Sequence, residues 1–161
     1  MKEQGDSGFQ EFFLAEYPVI YSLMRMMLGD RESAEDASQE AFTALYVHWK
    51  KVSPYNKPGA WVRRVALQEA GRQARRRRRL VPMDALPTEA TDEANTDLRP
   101  SLMGLPLGQR AAIVLHYLED RPISEIAEIM RCSESTVKVH LHRARRRLAD
   151  SLGKEEPDAA R

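Results

Sequence analysis

Cysteine is almost absent. The single Cys132 excludes an intrachain disulfide, as suits a reducing compartment. Glycine is scarce, at eight residues in 161, while helix formers abound, which favours an all-α protein. No apolar run approaches the roughly 20 residues that span a bilayer. The opening MKEQGDSGFQ lacks the basic start and apolar core of a signal peptide. The expected location is therefore the cytoplasm, with no membrane span. The four histidines, His48, His116, His140 and His142, form no metal-ligand spacing with Cys132. There is no glycine loop to cradle phosphate, no nucleophile elbow and no carboxylate pair that stands out. No metal, cofactor or small-molecule substrate is expected, and no enzyme.

What is present is charge, and it is sorted. The net charge of +1 averages an acidic start with two basic clusters. Glu3, Asp6, Glu11, Glu16, Asp30, Glu32, Glu35, Asp36 and Glu40 fall early in the chain. Arg72 to Arg79 is almost wholly arginine, and Lys138 to Arg147 is again basic. Segregation of this kind implies two kinds of partner, one for each sign. A hydrophobic content of 42% allows packed cores, and the length fits one ordinary domain or two small ones.

Along the chain, two helical blocks flank a stretch without helical period. A first helix is predicted from about Phe9 to Leu28, closed by Gly29. A second runs from about Arg31 to Lys50, capped by Asp30 or Ser33, with Glu32, Glu35 and Asp36 at the positive end of its dipole. VSPYNKPG reads as a loop, and Pro58 suits the first turn of a third helix, Gly59 to about Arg78. Trp61 and Val65 can pack inward. VPMDALPTEATDEANTDLRP reads as a flexible acidic linker. The expected division is 1–79, a linker over 80–101, a second domain over 102–152 and a disordered tail over 153–161. Met24, Met26 and Met27 suit a core.

The second block carries the sharpest pattern. In PISEIAEIMRCSESTVKVHLHRARRRL, Ile126, Ala127 and Met130 share one helical face behind Pro122. Arg131, Cys132 and Ser133 make a short break, and Ser133 is a good N-cap. Val137, Leu141, Ala144 and Leu148 then repeat as an amphipathic stripe. The other face carries Lys138, His142, Arg145 and Arg146, with Val139 and Arg143 beside them. A short helix, a tight turn and a longer helix with a basic outer face form the DNA-reading arrangement. The plainer alternative is a helical hairpin with a solvated basic face. The turn is expected to need a left-handed residue, where Arg131 costs about 1 kcal/mol relative to glycine.

LPLGQRAAIVLHYLEDRPISEIAEIM and TVKVHLHRARRRL together closely resemble the promoter-binding C-terminal domain of bacterial sigma factors of the extracytoplasmic-function group, over Leu105 to Leu148. The first block is similar to the matching N-terminal domain. DRESAEDASQEAFTALYVHW resembles the polymerase-clamp helix, with Asp36, Gln39, Glu40 and Phe42 at the recurring positions. NKPGAWVRRVALQEAGRQARRRRR resembles the helix that binds the minus-ten element.

The resemblance implies two all-α domains that bind core RNA polymerase, at its beta-prime clamp and beta flap, and promoter DNA. Ser135, Thr136, Lys138, Val139, His142, Arg143 and Arg146 would meet the minus-thirty-five element. Arg63, Arg64, Gln68, Arg72, Arg75 and Arg76 would line a positive track for the melted minus-ten strand, with Tyr55 and Asn56 at a pocket for a flipped base. The linker, Asp84 to Asp97, would thread through the polymerase. An anti-sigma factor is a further partner the resemblance brings in. Gln68 stands where the family commonly has Asn, and Arg72 about where it has Asp, which leaves open which base is flipped. Two other readings stay open at this point: a stand-alone helix-turn-helix activator, and an RNA-binding or structural protein using the arginine run.

Overall fold

The computed structural model describes residues 2–54, 57–80 and 98–152. Among these the regular elements are all helical. The chain divides into two compact units, Met1–Pro87 and Thr88–Arg161. An all-α, two-domain fold is what the sequence implied.

The first unit holds α1 (Lys2–Leu28), α2 (Arg31–Val47), the short α3 (Trp49–Val52) and α4 (Pro58–Leu80). The first helix starts earlier than the apolar pattern suggested and carries Pro18 on its exposed side. It ends at Gly29, whose φ of 88° is the left-handed conformation that glycine adopts without strain. Asp30 then caps α2, its side chain accepting the Ser33 N–H at 2.9 Å.

α1, α2 and α4 pack on one another around Ile20, Leu23, Met24, Met27, Leu45 and Val62. α2 and α4 pack on one another, and each buries small residues completely, Ala34, Ala37 and Ala41 on α2 and Ala66 and Ala70 on α4. Small side chains permit a close approach of packed helices. At one end an aromatic cluster gathers Phe9, Phe12, Phe13, Tyr17, Phe42, Tyr46 and Trp49, with ring centroids 5.0–6.5 Å apart. The second helix stops at Val47, short of the expected Lys50. The His48 ring occupies the Ala44 carbonyl at 2.9 Å and meets Trp61 at 5.8 Å, and the chain restarts as α3. Trp61 and Val65 are only half-buried; Val62, Ala66 and Ala70 form the inward line of α4.

The second unit holds α5 (Leu98–Met103), α6 (Leu107–Ile113), a π-helical continuation over Val114–Leu118, α7 (Ile123–Met130) and α8 (Glu134–Leu152). The expected linker reached residue 101, but its last residues are helical. Leu102 is fully buried, and Arg110 donates to the carbonyl of Met103, the last residue of α5, at 3.1 Å and to that of Leu105 just beyond it at 2.7 Å. Six residues with an internal proline give too short a period to read as a helix. The core joins Leu102, Leu115, Ile126, Ile129, Val137, Leu141 and Ala144. Ile129 is buried and Met130 only half-buried, so the inner face of α7 is rotated slightly from the expected one.

Candidate nucleic-acid interface

The helix-turn-helix lies where the sequence placed it. The turn closes α7 with two backbone bonds, Cys132 N–H to Ala127 carbonyl at 3.1 Å and Arg131 N–H to Glu128 carbonyl at 3.4 Å. This pairing requires a left-handed residue at Arg131, which has φ 54° and ψ 52°. Ser133 Oγ then accepts the Thr136 N–H at 3.1 Å and caps α8.

Val137, Leu141 and Ala144 turn inward, with Leu148 half-buried. Opposite them, Ser135, Thr136, Lys138, Val139, His142, Arg143 and Arg146 are all exposed. Val139 keeps 45% of its surface, which leaves an apolar contact among cations. A thymine methyl is one base group such a side chain fits. His140 departs from a surface role. It is half-buried against Gly108 of α6, where a Cβ would lie 2.9 Å from the ring. Burial, and then the charge of Arg143, hold its imidazole below the ordinary histidine range.

One feature of this unit escaped the sequence. Arg145 Nε donates to the Tyr117 hydroxyl at 2.6 Å, and its guanidinium carbon lies 5.4 Å from the Tyr117 ring centroid. His116 meets the same ring edge-on at 4.8 Å. A tyrosine within an apolar run, 28 positions before its partner, carries no local signal for this pairing.

In the first unit, Gln68, Arg72, Arg75 and Arg76 are exposed on α4, spaced so that they share one face. Arg72 also pairs with Glu69 at 2.6 Å but stays 63% exposed. Arg64 is half-buried. Tyr55 and Asn56 lie outside the described residues.

Arg63 does not belong to this track. Its side chain is 2% exposed and bonded to Glu16 of α1 at 3.2 Å and to the Gly59 carbonyl at 3.0 Å. Residue 59 must be glycine-like for this, since a Cβ there would stand 2.8 Å from the guanidinium. That glycine in the first turn of a helix, four residues before an arginine, was the available signal. Arg77, within the arginine run, also turns to structure by bonding Asp30 and Ser33 at the start of α2.

The outward face of α2 is acidic. Asp36, Gln39 and Glu40 are exposed, beside Glu32 and Glu35. Phe42, the fourth residue of the polymerase-binding motif, is 3% exposed and wedged against Phe13 and Tyr17 with centroids 5.1 and 5.5 Å away, so it does not present its ring to a partner. Fully burying such a ring is worth about 1.5–3 kcal/mol, so Phe42 supports the acidic face from beneath. Among the described residues no cluster of histidine, cysteine and carboxylates could hold a metal, and no helix is long and apolar enough to cross a membrane.

Residues 12–80 match the family described as Sigma-70 region 2, and residues 98–148 match the family described as Sigma-70, region 4. An RNA polymerase sigma-E factor of Streptomyces antibioticus is 30% identical over 158 residues, covering 94% of this chain and 88% of its own. The ECF RNA polymerase sigma factor SigW of Bacillus subtilis is 29% identical over 154 residues, covering 83% of this chain and 82% of its own. The fold is similar to that of the sigma factor RpoE of Bartonella quintana, solved in complex with the anti-sigma factor NepR. The TM-score is 0.76 at 22% identity, over 92% of this chain and 98% of that one.

Proposed function

The chain belongs to the sigma-70 family as an extracytoplasmic-function RNA polymerase sigma factor, and from that premise we propose how its surfaces divide the work of promoter recognition. Its second unit reads the minus-thirty-five element in the major groove. Ser135, Thr136, Lys138, Val139, His142 and Arg143 lie in the first turns of α8, where side chains reach base edges. Arg146, a turn further on, meets the backbone. The first unit holds core polymerase through Asp36, Gln39 and Glu40 on α2, whose acids and amide suit a basic coiled coil of the beta-prime clamp. Gln68, Arg72, Arg75 and Arg76 on α4 hold the melted minus-ten strand, with Tyr55 and Asn56 near the flipped base. The acidic linker passes through the polymerase between the units, and the second unit also meets the beta flap. The chain catalyses nothing; the polymerase does the chemistry.

The observation that carries this reading is the separation of outward charge by helix. The exposed face of α2 gathers Glu32, Glu35, Asp36 and Glu40, while α4 exposes Arg72, Arg75, Arg76 and Arg78 and α8 exposes Lys138, Arg143, Arg145, Arg146 and Arg147. Neither DNA-binding face needs high affinity alone, because tethering through polymerase raises the effective concentration of the second contact. The free protein therefore binds promoter DNA weakly, and binding falls by about 0.9 log units per log unit of salt for each phosphate contacted. By analogy with the RpoE complex, an anti-sigma factor is a further partner.

Reconstitution with core polymerase on genomic DNA tests the reading. The expected result is co-purification with core and transcripts that start at defined sites. Failure of both would leave a stand-alone DNA binder as the better account. Lys138→Ala and Arg143→Ala then separate base reading from phosphate contact: loss confined to particular upstream sequences means base reading, and uniform loss means phosphate contact alone.

A further inference from the structure

We infer that Tyr117 and Arg145 together form a clamp for one DNA backbone phosphate beside the reading helix. The inference rests on the promoter-reading role of α8 and adds to it a residue from outside that helix.

The geometry fixes the arginine without consuming it. Among the described residues Arg145 uses Nε alone, on the Tyr117 hydroxyl at 2.6 Å. The two terminal nitrogens keep their hydrogens for an oxyanion, in the forked arrangement that matches phosphate oxygens. The Tyr117 oxygen accepts from Nε, so its own O–H hydrogen remains to be donated to the same anion. The ring beneath the guanidinium restrains it further, at 5.4 Å. Tyr117 keeps 53% of its surface and Arg145 is exposed, so an anion can reach both. Among the described residues no carboxylate pairs with Arg145. An arginine already oriented by a neutral partner loses less entropy on binding than a free one.

The backbone accounts for how Tyr117 comes to be there. It sits in the π-helical segment Val114–Leu118. One extra residue in a helical turn rotates the side chains that follow by roughly 100°, and such bulges recur at functional sites. On α8, Arg145 stands seven residues after Lys138, about 10 Å further along the same flank. Val139, His142 and Arg146 lie between that flank and the one holding Arg143 and Arg147. A helix in the major groove has a phosphate backbone on either side, so the Lys138–Arg145 flank faces one strand.

The test uses the full chain in two arms. In the first, holoenzyme reconstituted with core polymerase binds promoter duplexes that the wild-type holoenzyme has selected from genomic DNA, over a salt series. In the second, the chain alone binds a short duplex of random sequence over the same series. Arg145→Ala is expected to weaken binding about tenfold, as befits a charged hydrogen bond, and to lower the salt slope by about 0.9 in both arms. The loss should be the same for every minus-thirty-five sequence. Arg145→Lys should keep the slope while losing part of the affinity. Tyr117→Phe should weaken binding about threefold to fivefold with the slope unchanged, because a neutral hydrogen bond releases no counterion. A merely structural pair would move the melting temperature and leave the slope alone. An unchanged slope for Arg145→Ala in the random-duplex arm overturns the clamp whatever the first arm shows. A loss confined to some minus-thirty-five sequences overturns it in favour of base contact. Failure of the wild-type holoenzyme to select any duplex defeats the promoter reading instead, and the second arm still scores the phosphate contact.

Discussion

Arg63 and Glu16, 47 positions apart in the sequence, meet at 3.2 Å between α4 and α1, the arginine sealed from solvent and the glutamate about a quarter exposed. An arginine in a basic helix thus holds two helices together. Removing one partner of such a pair leaves a charge poorly compensated, and because Glu16 still touches water the cost is about 2 kcal/mol. Arg63→Ala should lower the unfolding free energy of the first unit by that amount, seen as a lower denaturation midpoint at unchanged m. Arg75→Ala, an exposed change, should leave unfolding unmoved and weaken binding of the melted strand. Chemical denaturation set beside single-strand binding separates the two; equal effects from both variants would put Arg63 back in the DNA track.

Asp30 serves two helices at once, capping α2 and bonding Arg77 of α4. Burial pushes its carboxyl up, but the Ser33 N–H and Arg77 more than offset this and hold it below the ordinary range. A carboxyl lowered on folding contributes stability that is present above its unfolded value, about 3.9, and is lost as pH falls through the lower folded value. Asp30→Ala should cost about 1 kcal/mol at neutral pH through the lost cap alone. Asp30→Asn should keep the cap yet flatten the acid dependence. Urea midpoints at neutral and acid pH would show this, and an unaltered acid slope in the asparagine variant would refute it.

Gly108 is set by the ring of His140, which a Cβ would approach to 2.9 Å. Elsewhere in an exposed helix, Gly→Ala stabilises by up to about 1 kcal/mol. Here Gly108→Ala should destabilise the second unit by a similar amount, and in a His140→Ala background the sign should reverse. A double-mutant cycle measures that coupling. The His140 imidazole is held below its unfolded value, near 6.5, so stability is complete above that pH and declines as pH falls through the folded value. His140→Gln should remove this decline.

Arg131→Gly relieves a left-handed backbone at the turn and should stabilise the second unit by about 1 kcal/mol, raising its melting temperature by several degrees. No change would mean that the arginine side chain supplies a compensating contact.

Legibility in the sequence followed the range of the signals. Periodic and capping signals are local, so the Val137–Leu141–Ala144 stripe, the Ser133 cap, the Gly29 stop and Pro58 at the start of α4 were readable from neighbours alone. Contacts between distant positions were not. Arg63 and Arg77 read as members of a basic face because their partners, Glu16 and Asp30, lie on other helices. Phe42 read as a polymerase contact because the resemblance to a docking motif said nothing of Phe13 and Tyr17 on another helix, which cover its ring. Tyr117 reached Arg145 only through a π-helical turn, whose extra residue has no compositional mark. Short α5 was lost because six residues with a proline have too little period to register.

The alanine seam between α2 and α4 has a mechanical consequence. Ala34, Ala37 and Ala41 of α2 and Ala66 and Ala70 of α4 are fully buried where these helices pack on one another; alanines have no rotamers to change, and Arg77 of α4 ties to Asp30 and Ser33 at the start of α2 besides. Such a joint behaves as a weld. Force or position imposed on the acid-bearing helix is handed to the arginine-bearing one without play, so whatever seizes α2 also aims α4.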